Sequence, residues 1–140
     1  MSVHAQPGLF EGQADTQIVE VISATGYGLD AQAALVHETA VEKGFWPIEN
    51  YDATTMHVSD NCIGNKLALV HSEVTEVLEA VRKEQGEAKV VEEFADIIIR
   101  CLDLYAALKN TGQLESSLED VVQLKMRKNK DRPMKHGNRF

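Results

Sequence analysis

Residues 92–104 read EEFADIIIRCLDL, and the distribution of apolar residues in this segment is the main indication of the fold class. At about 100° per residue, its apolar side chains cover a much wider arc than the single apolar face of a surface helix. The pattern continues on both sides, so the predicted helix runs from Ala88 to Asn110. A helix with so wide an apolar arc has to be surrounded by other helices. The stretch therefore predicts an all-α, four-helix-bundle-like protein with this helix at its centre.

Three further helices are predicted by helical periodicity, with glycines at or near the expected C-caps. These glycines are Gly44, Gly86 and Gly112. The predicted helices cover about residues 30–43, 61–85 and 114–129. Asp30 is expected to be the N-cap of the first helix, and Pro133 prevents the last one from continuing.

The rest of the chain divides into a loop, a tail and an extension. Residues 45–60 contain a proline and several turn formers, so we expect a loop there. We assign residues 30–140 to one helical domain with a basic C-terminal tail, and residues 1–29 to an N-terminal extension. Within the extension, residues 16–24 (TQIVEVISA) fit either a short helix or a strand, so their structure stays open.

Two predicted helices carry acidic residues in places that surface decoration does not explain. Glu73 lies inside an apolar face of the second helix, and Glu76 lies at its edge. Glu93 and Asp96 have the same spacing, i and i+3, so their side chains project together from the third helix. An antiparallel pair of helices would bring the four carboxylates face to face. The apolar face that we expect to point inward consists of Leu69, Val70, Val74, Val77, Leu78 and Val81.

Four carboxylates in a poorly solvated pocket repel one another strongly unless a cation neutralises them. All-oxygen ligation is typical of hard divalent ions, so we expect Mg²⁺, with Mn²⁺ as a substitute. A di-iron bundle needs Glu-x-x-His pairs, and no histidine of the chain has Glu three residues before it. The alternative is ordinary surface decoration with a local Asp96–Arg100 ion pair.

Charge and hydropathy argue against two classes of partner, polymeric nucleic acid and membranes. The net charge is −8, but residues 125–140 carry seven of the fourteen Lys and Arg residues and one acid, so this tail is +6 and residues 1–124 are −14. An acidic body argues against binding of polymeric nucleic acid. The sequence shows neither a membrane-spanning run nor a signal-peptide pattern, so we expect a cytoplasmic protein without a membrane partner.

Three stretches resemble the MazG-like all-α nucleoside triphosphate pyrophosphohydrolases, a superfamily that includes dimeric dUTPases and dCTP pyrophosphatases. They are LALVHSEVTEVLEAVR (67–82), EEFADIIIRCLDL (92–104) and KMRKNKDRPMKHGNRF (125–140), and the resemblance covers roughly residues 30–139. The family pattern is EExxE followed by ExxD. The matching positions here are Ser72, Glu73, Glu76, Glu93 and Asp96, so a serine stands where the family has its first glutamate.

The resemblance implies hydrolysis of a nucleoside triphosphate between the α and β phosphates, with a homodimer or homotetramer as the assembly. It implies that the four acids hold Mg²⁺, that Glu73 and Glu76 are catalytic, and that deoxy pyrimidine nucleotides are preferred. It assigns the substrate phosphates to Lys125, Asn129 and Arg132. It assigns the base pocket to His37, Trp46 and Asn65.

Two other classes of function stay open on sequence alone. Ser72 favours a catalytically silent nucleotide-binding or protein-interaction bundle, because a missing carboxylate can neither bind metal nor activate water. The four remaining acids argue against that class, because a site without ligand would keep their mutual repulsion for no gain. A purely structural helical adaptor leaves both the acids and the basic tail unexplained.

Overall fold

The computed structural model describes residues 28–134. The segment 16–24 lies outside the described residues, as does the end of the basic tail, residues 135–140. The described part is all-α, as predicted, and its extended pairing is limited to an isolated bridge between Tyr51 and Val58. Its four α-helices are α1 (Leu29–Glu42), α2 (Asp60–Arg82), α3 (Glu87–Asn110) and α4 (Leu118–Lys130), and a 3-10 helix (Ile48–Asn50) lies in the predicted loop.

The third helix is central, as the wide apolar arc predicts. α3 packs extensively against both α1 and α2, whereas α4 contacts α1 over a smaller area. One core cluster joins Trp46, Val58 and Cys62 to Leu104 and Ala107 of α3. A second, smaller cluster joins Ala33 of α1 to Leu102 and Ala106 of α3. Both clusters lie towards the C-terminal half of α3, so its N-terminal half presents other side chains to its neighbours.

Several apolar side chains that we expected to be buried are exposed. On α2, Glu73 and Ala80 are buried, and Val74, Leu78 and Val81 are exposed. The prediction that these three residues point inward was wrong. The side of α2 that carries Glu73, about 100° around the helix from Val74, faces α3 instead. Seven exposed apolar residues of α2 and the N-terminal half of α3, which we call the apolar stripe, are Leu67, Val74, Leu78, Val81, Val91, Phe94 and Ile98.

Asp30 links three helices instead of capping one. α1 begins at Leu29 with Gly28 as its N-cap, so the prediction that Asp30 is the cap was wrong. The Asp30 carboxylate accepts hydrogen bonds from the Tyr105 hydroxyl at 2.7 Å and from the backbone N–H of Leu118 at 3.0 Å, and also from Ser117 Oγ. Although partial burial opposes it, these bonds lower the pKa of Asp30. They fix the start of α4 against α1 and α3.

The helix ends confirm two of the three glycine predictions. After α1, the Gly44 N–H donates to the Val41 carbonyl and the Phe45 N–H to the Ala40 carbonyl, with Gly44 at φ +82°. Gly112 ends α3 in the same way. At the end of α2, however, the left-handed position is taken by Glu84 at φ +50°, and Gly86 is the N-cap of α3. No helix within residues 28–134 has the length and apolar composition to cross a membrane.

Candidate functional site

Three of the four acids that we expected to come face to face, Glu73, Glu76 and Glu93, lie together between α2 and α3. One carboxylate oxygen from each of Glu73, Glu76 and Glu93 lies within 4.8 Å of the others. Glu73 is 6% exposed and Glu93 only 1%, whereas Glu76 is exposed. Burying two carboxylates beside a third is unfavourable without a cation, which makes this cluster the first candidate for a functional site.

Asp96 lies beside this cluster and lines a neighbouring cleft. Partial burial raises the pKa of Asp96, and the negative charges of Glu73, Glu93 and Glu92 raise it further, while Arg100 opposes the change. The electrostatic field of the cluster therefore reaches Asp96, although Asp96 is not part of the close group of three. Its role as a fourth metal ligand remains a prediction.

Two cations of α3 contact the buried acids. Lys89 Nζ forms an ion pair with Glu93 and a second one with Glu92 at 3.3 Å, and these hydrogen bonds raise the pKa of Lys89. The Arg100 Nε–H donates to Glu73 Oε1 at 2.6 Å. The local Asp96–Arg100 pair expected for a decorated surface is thus replaced by a contact between two helices.

The carboxylates fit a divalent cation. Glu93 Oε1 is fully buried and, apart from its ion pair with Lys89, accepts no hydrogen bond from the described residues. Two oxygens on opposite sides of Mg²⁺ are roughly 4.2 Å apart, so oxygens within 4.8 Å of one another need only small side-chain rotations or a bridging water. Oxygen ligands alone favour Mg²⁺ or Mn²⁺ over zinc or copper. Glu73, Glu76 and Glu93 are therefore the residues that could hold the ion.

A cleft of about 560 Å³ opens from the acidic cluster between α1, α2 and α3. Glu73, Asp96 and Arg100 line one end of the cleft. Phe45, Lys66 and Asp103 also belong to the lining of the cleft. Asp96 and Asp103 are seven residues apart on α3, or about 10 Å along the helix axis. The volume and the length match a small-molecule site for a ligand of about nucleotide size.

Asp103 organises the part of the structure behind the cleft. Its carboxylate accepts the Trp46 indole N–H at 2.9 Å and lies 2.8 Å from His37 Nδ1. Because an ionised carboxylate can only accept, His37 carries its hydrogen on Nδ1 in this contact. Lys66 Nζ lies 3.9 Å from the same carboxylate and 4.3 Å above the Trp46 ring. The cation and the two donors fix the orientation of Asp103.

The three predicted base-pocket residues do not lie together. His37 and Trp46 are buried next to each other, with ring centroids 5.0 Å apart. They stand behind Asp103, and the described cleft lining includes neither of them. Asn65 is exposed outside the cleft, whereas its neighbour Lys66 lines it. Lys66 is seven residues before Glu73 and shares its helix face, but Asn65 is rotated by about 100° from Lys66. The roles of all three residues stay predictions.

The predicted phosphate-binding residues lie on the last helix and beyond its end. Lys125, Asn129 and Arg132 are all exposed. Among the described residues, no part of α4 lines the cleft of the same chain. The basic segment would therefore have to reach a phosphate either by movement of the tail or from a second copy of the chain.

Sequence reasoning did not assign Arg100, Asp103 or Lys66 to the site. A signal for the first two was available, because Asp96, Arg100 and Asp103 have the spacing i, i+4, i+7 of one helix face. For Lys66, the same spacing to Glu73 was the signal. What the sequence does not contain is the choice of partner: Arg100 is one turn from Asp96 but pairs with Glu73 on another helix.

Comparison with known proteins identifies the family. Residues 64–136 match the family model described as the MazG nucleotide pyrophosphohydrolase domain. Neither a curated protein nor a solved structure matches the chain. The matched segment is more than half of the 140 residues and contains both acidic pairs, Lys66, Arg100 and Asp103. The chain therefore belongs to the MazG nucleotide pyrophosphohydrolase domain family.

Proposed function

We propose that the protein is a Mg²⁺-dependent nucleoside triphosphate pyrophosphohydrolase that cleaves between the α and β phosphates to give a nucleoside monophosphate and pyrophosphate. The observation that carries the proposal is the pair of buried carboxylates, Glu73 and Glu93, which approach each other from two helices, with Glu73 also lining a nucleotide-sized cleft. Family membership supports the same reaction class. A cytoplasmic location belongs to the proposal, because nucleoside triphosphates are abundant there.

Glu73, Glu76, Glu93 and Asp96 would hold the metal. A bound Mg²⁺ neutralises phosphate charge and lowers the pKa of a bound water. We assign Glu73 and Glu76 to orientation and deprotonation of the attacking water. Glu76 is exposed and makes no ion pair with a described residue, so it can accept a proton. Asp96 lines the cleft, so its carboxylate would lie between the metal and the substrate.

The far end of the cleft would take the base. Phe45 is 65% exposed and lines the cleft, which gives a flat apolar surface for stacking. Asp103 and Lys66 offer an acceptor and a donor at the same end. His37 and Trp46 would act on the base through Asp103, which they orient. A hydrogen-bonding site of this kind distinguishes bases by their exocyclic groups, and we propose deoxy pyrimidine triphosphates as the preferred class.

The β and γ phosphates would be bound by Lys125, Asn129 and Arg132. Arg presents a planar fork to phosphate oxygens, and Lys presents a mobile charge. Because these residues lie outside the cleft of their own chain, we propose that they reach the cleft of a partner subunit in a homodimer or homotetramer. The apolar stripe of α2 and α3 is the face through which the subunits would associate.

The reaction is tested by incubating the purified protein with a panel of ribo- and deoxynucleoside triphosphates and Mg²⁺, and identifying the products by ³¹P NMR. We expect a monophosphate and pyrophosphate in equal amounts, fastest with deoxy pyrimidine nucleotides, and no turnover with excess EDTA. A diphosphate and orthophosphate would contradict the proposed bond.

A catalytically silent nucleotide-binding bundle is the second candidate. It is favoured by Ser72, which stands where the family pattern has a glutamate. The exposed Ser72 hydroxyl donates to the Leu69 carbonyl at 2.7 Å, and a serine offers no carboxylate to a metal. If a triphosphate binds with Mg²⁺ or Mn²⁺ but no member of the panel is hydrolysed, this candidate is correct. The variant Ser72→Glu then tests whether the missing carboxylate restores turnover.

A further inference from the structure

Glu93 and Asp96 of α3 stand between two cations of the same helix. Lys89 is four residues before Glu93, and Arg100 is four residues after Asp96. Each cation contacts one of the two buried acids of the cluster: Lys89 contacts Glu93, and Arg100 contacts Glu73 on α2. Both buried carboxylates are therefore neutralised by side chains of the protein itself.

The two cations differ in what else they can reach. Arg100 lines the cleft, whereas Lys89 does not belong to the described lining. Both side chains are about two-fifths exposed, 39% for Arg100 and 41% for Lys89, so neither is locked in place by packing. Arg100 contacts Glu73 through Nε, and its two terminal nitrogens make no hydrogen bond within residues 28–134. These terminal nitrogens are the part of a guanidinium that binds phosphate in a two-pronged manner.

Arg100 and a metal ion would compete for the same carboxylate, that of Glu73. Glu73 Oε1 is 2.6 Å from Arg100 Nε, and Glu73 belongs to the close group of three carboxylates. A divalent cation placed among these oxygens would lie within a few ångströms of the guanidinium, and like charges at that distance repel each other. The guanidinium and the ion therefore weaken each other's binding to Glu73.

We propose that Arg100 is a mobile counterion that neutralises Glu73 while the metal is absent and moves to a phosphate oxygen of the nucleotide when metal and nucleotide bind together. This inference rests on the proposed function for the identity of the ligand. Its consequence is thermodynamic coupling: the metal alone binds weakly because it has to displace Arg100, and the nucleotide strengthens metal binding because it gives Arg100 a new partner.

The test is a titration of the metal-depleted protein with Mn²⁺ alone, by calorimetry, on the unsubstituted protein and on Arg100→Gln, Arg100→Lys and Lys89→Gln. The affinity of an α,β-methylene triphosphate is then measured at saturating Mn²⁺. We expect Arg100→Gln to bind Mn²⁺ about 10-fold more tightly than the unsubstituted protein and the analogue about 10-fold more weakly.

The two other variants separate charge from position. Lys89→Gln also removes a cation beside a buried acid, so it should bind Mn²⁺ more tightly, but it should leave the affinity of the analogue unchanged because Lys89 does not line the cleft. Arg100→Lys keeps the charge and loses the planar fork, so it should bind Mn²⁺ as weakly as the unsubstituted protein and the analogue more weakly. It also serves as the folded variant if Arg100→Gln does not fold.

Each negative result has a distinct meaning. If the unsubstituted protein binds Mn²⁺ and no Arg100 variant changes the affinity for either Mn²⁺ or the analogue, the counterion role is wrong and the metal centre stands. If Arg100→Gln and Lys89→Gln weaken the analogue equally, the effect is general electrostatics and the proposed contact with phosphate is wrong. If neither the unsubstituted protein nor Arg100→Gln binds Mn²⁺, with or without the analogue, both the metal centre and this inference are wrong.

Discussion

At the scale of single residues, Asp103 shows how a cleft residue is held by groups that do not touch the cleft. Trp46 and His37 are buried and direct their polar atoms at one carboxylate. A carboxylate in this position has a defined orientation because its donors are fixed by the core around them. The signal in the sequence was the spacing of His37 and Trp46, but the sequence does not show that both meet Asp103, 57 residues further along from Trp46.

We predict that Asp103→Asn destabilises the protein by about 1–3 kcal/mol, because a neutral amide oxygen is a weaker acceptor than a carboxylate for the buried donors of Trp46 and His37. The measurement is urea unfolding at one protein concentration, followed by the fluorescence of Trp46, which is the single tryptophan of the chain. Glu38→Gln, on the exposed side of α1, is the control and should change stability by less than about 0.5 kcal/mol. Equal stability of the two variants would contradict the role of Asp103.

Asp96 makes stability depend on pH when no metal is bound. Its pKa is raised in the folded state, so the folded protein binds more protons than the unfolded chain. The free energy of unfolding therefore falls as the pH rises from about 4 through the raised pKa. In excess chelator, Asp96→Asn should match the unsubstituted protein near pH 4 and be more stable by about 1 kcal/mol at pH 7. A stability difference that does not change with pH would show that the burial and the neighbouring acids leave Asp96 unaffected.

The sequence predicted which acidic residues belong to the site better than it predicted the direction in which each side chain points. The four acids were identified from their spacing, and three of them lie together in the structure. For Asn65 and Lys66, the sequence did not indicate which of the two faces the cleft. Adjacent residues of a helix point about 100° apart, so only Lys66 shares the helix face of Glu73. Partners are also beyond the sequence: Arg100 has an acid one turn away on its own helix, but it extends to Glu73, which is buried and gains more from a cation.

At the scale of elements, periodicity predicted the four helices correctly, but it did not predict correctly where every helix begins and ends. The fourth helix begins at Leu118 and not near Leu114, because Ser117 provides the N-cap by accepting from the Asp120 N–H at 3.2 Å. Leu114 instead belongs to the turn that ends α3, where its N–H donates to the Leu108 carbonyl. A cap of this kind was visible in the sequence, but the apolar Leu114 before it extended the apparent helix.

The end of α2 gives an element-scale prediction. Glu84 has a left-handed backbone conformation, φ +50°, which costs roughly 1 kcal/mol for a residue with a Cβ atom and little for glycine. Glu84→Gly should therefore raise the free energy of unfolding by about 1 kcal/mol. The control is Lys83→Gly, one residue earlier at φ −92°, which should not stabilise the protein. Both are measured by urea unfolding, and a loss of stability in Glu84→Gly would contradict the strain argument.

At the scale of the whole molecule, the described helices leave more large apolar side chains exposed than they bury. Periodicity predicted that α3 is covered on all sides, but a sequence does not say whether the cover comes from the same chain. The positions of α2 in the apolar stripe repeat at i, i+7, i+11 and i+14, which is the spacing of a helix–helix seam. The stripe therefore supports the proposed homo-oligomer.

We predict that Phe94→Lys, in the middle of the α3 part of the stripe, converts the oligomer into a monomer because it places a charge in the interface. Sedimentation equilibrium gives the mass directly. Ile48→Lys is the control, since Ile48 is also a large exposed apolar residue but lies in the 3-10 helix outside the stripe. A monomeric unsubstituted protein would contradict the prediction.

In the proposed reaction, the buried acids of α2 and α3 hold the metal on which hydrolysis depends. The rate of Mg²⁺-dependent pyrophosphate release by Glu73→Gln tests this claim, with Ser72→Ala as the neighbouring control. We predict a loss of turnover of at least about 100-fold in Glu73→Gln, with the helical fold intact by circular dichroism, and little change in Ser72→Ala. Retained turnover in a folded Glu73→Gln protein would contradict the claim.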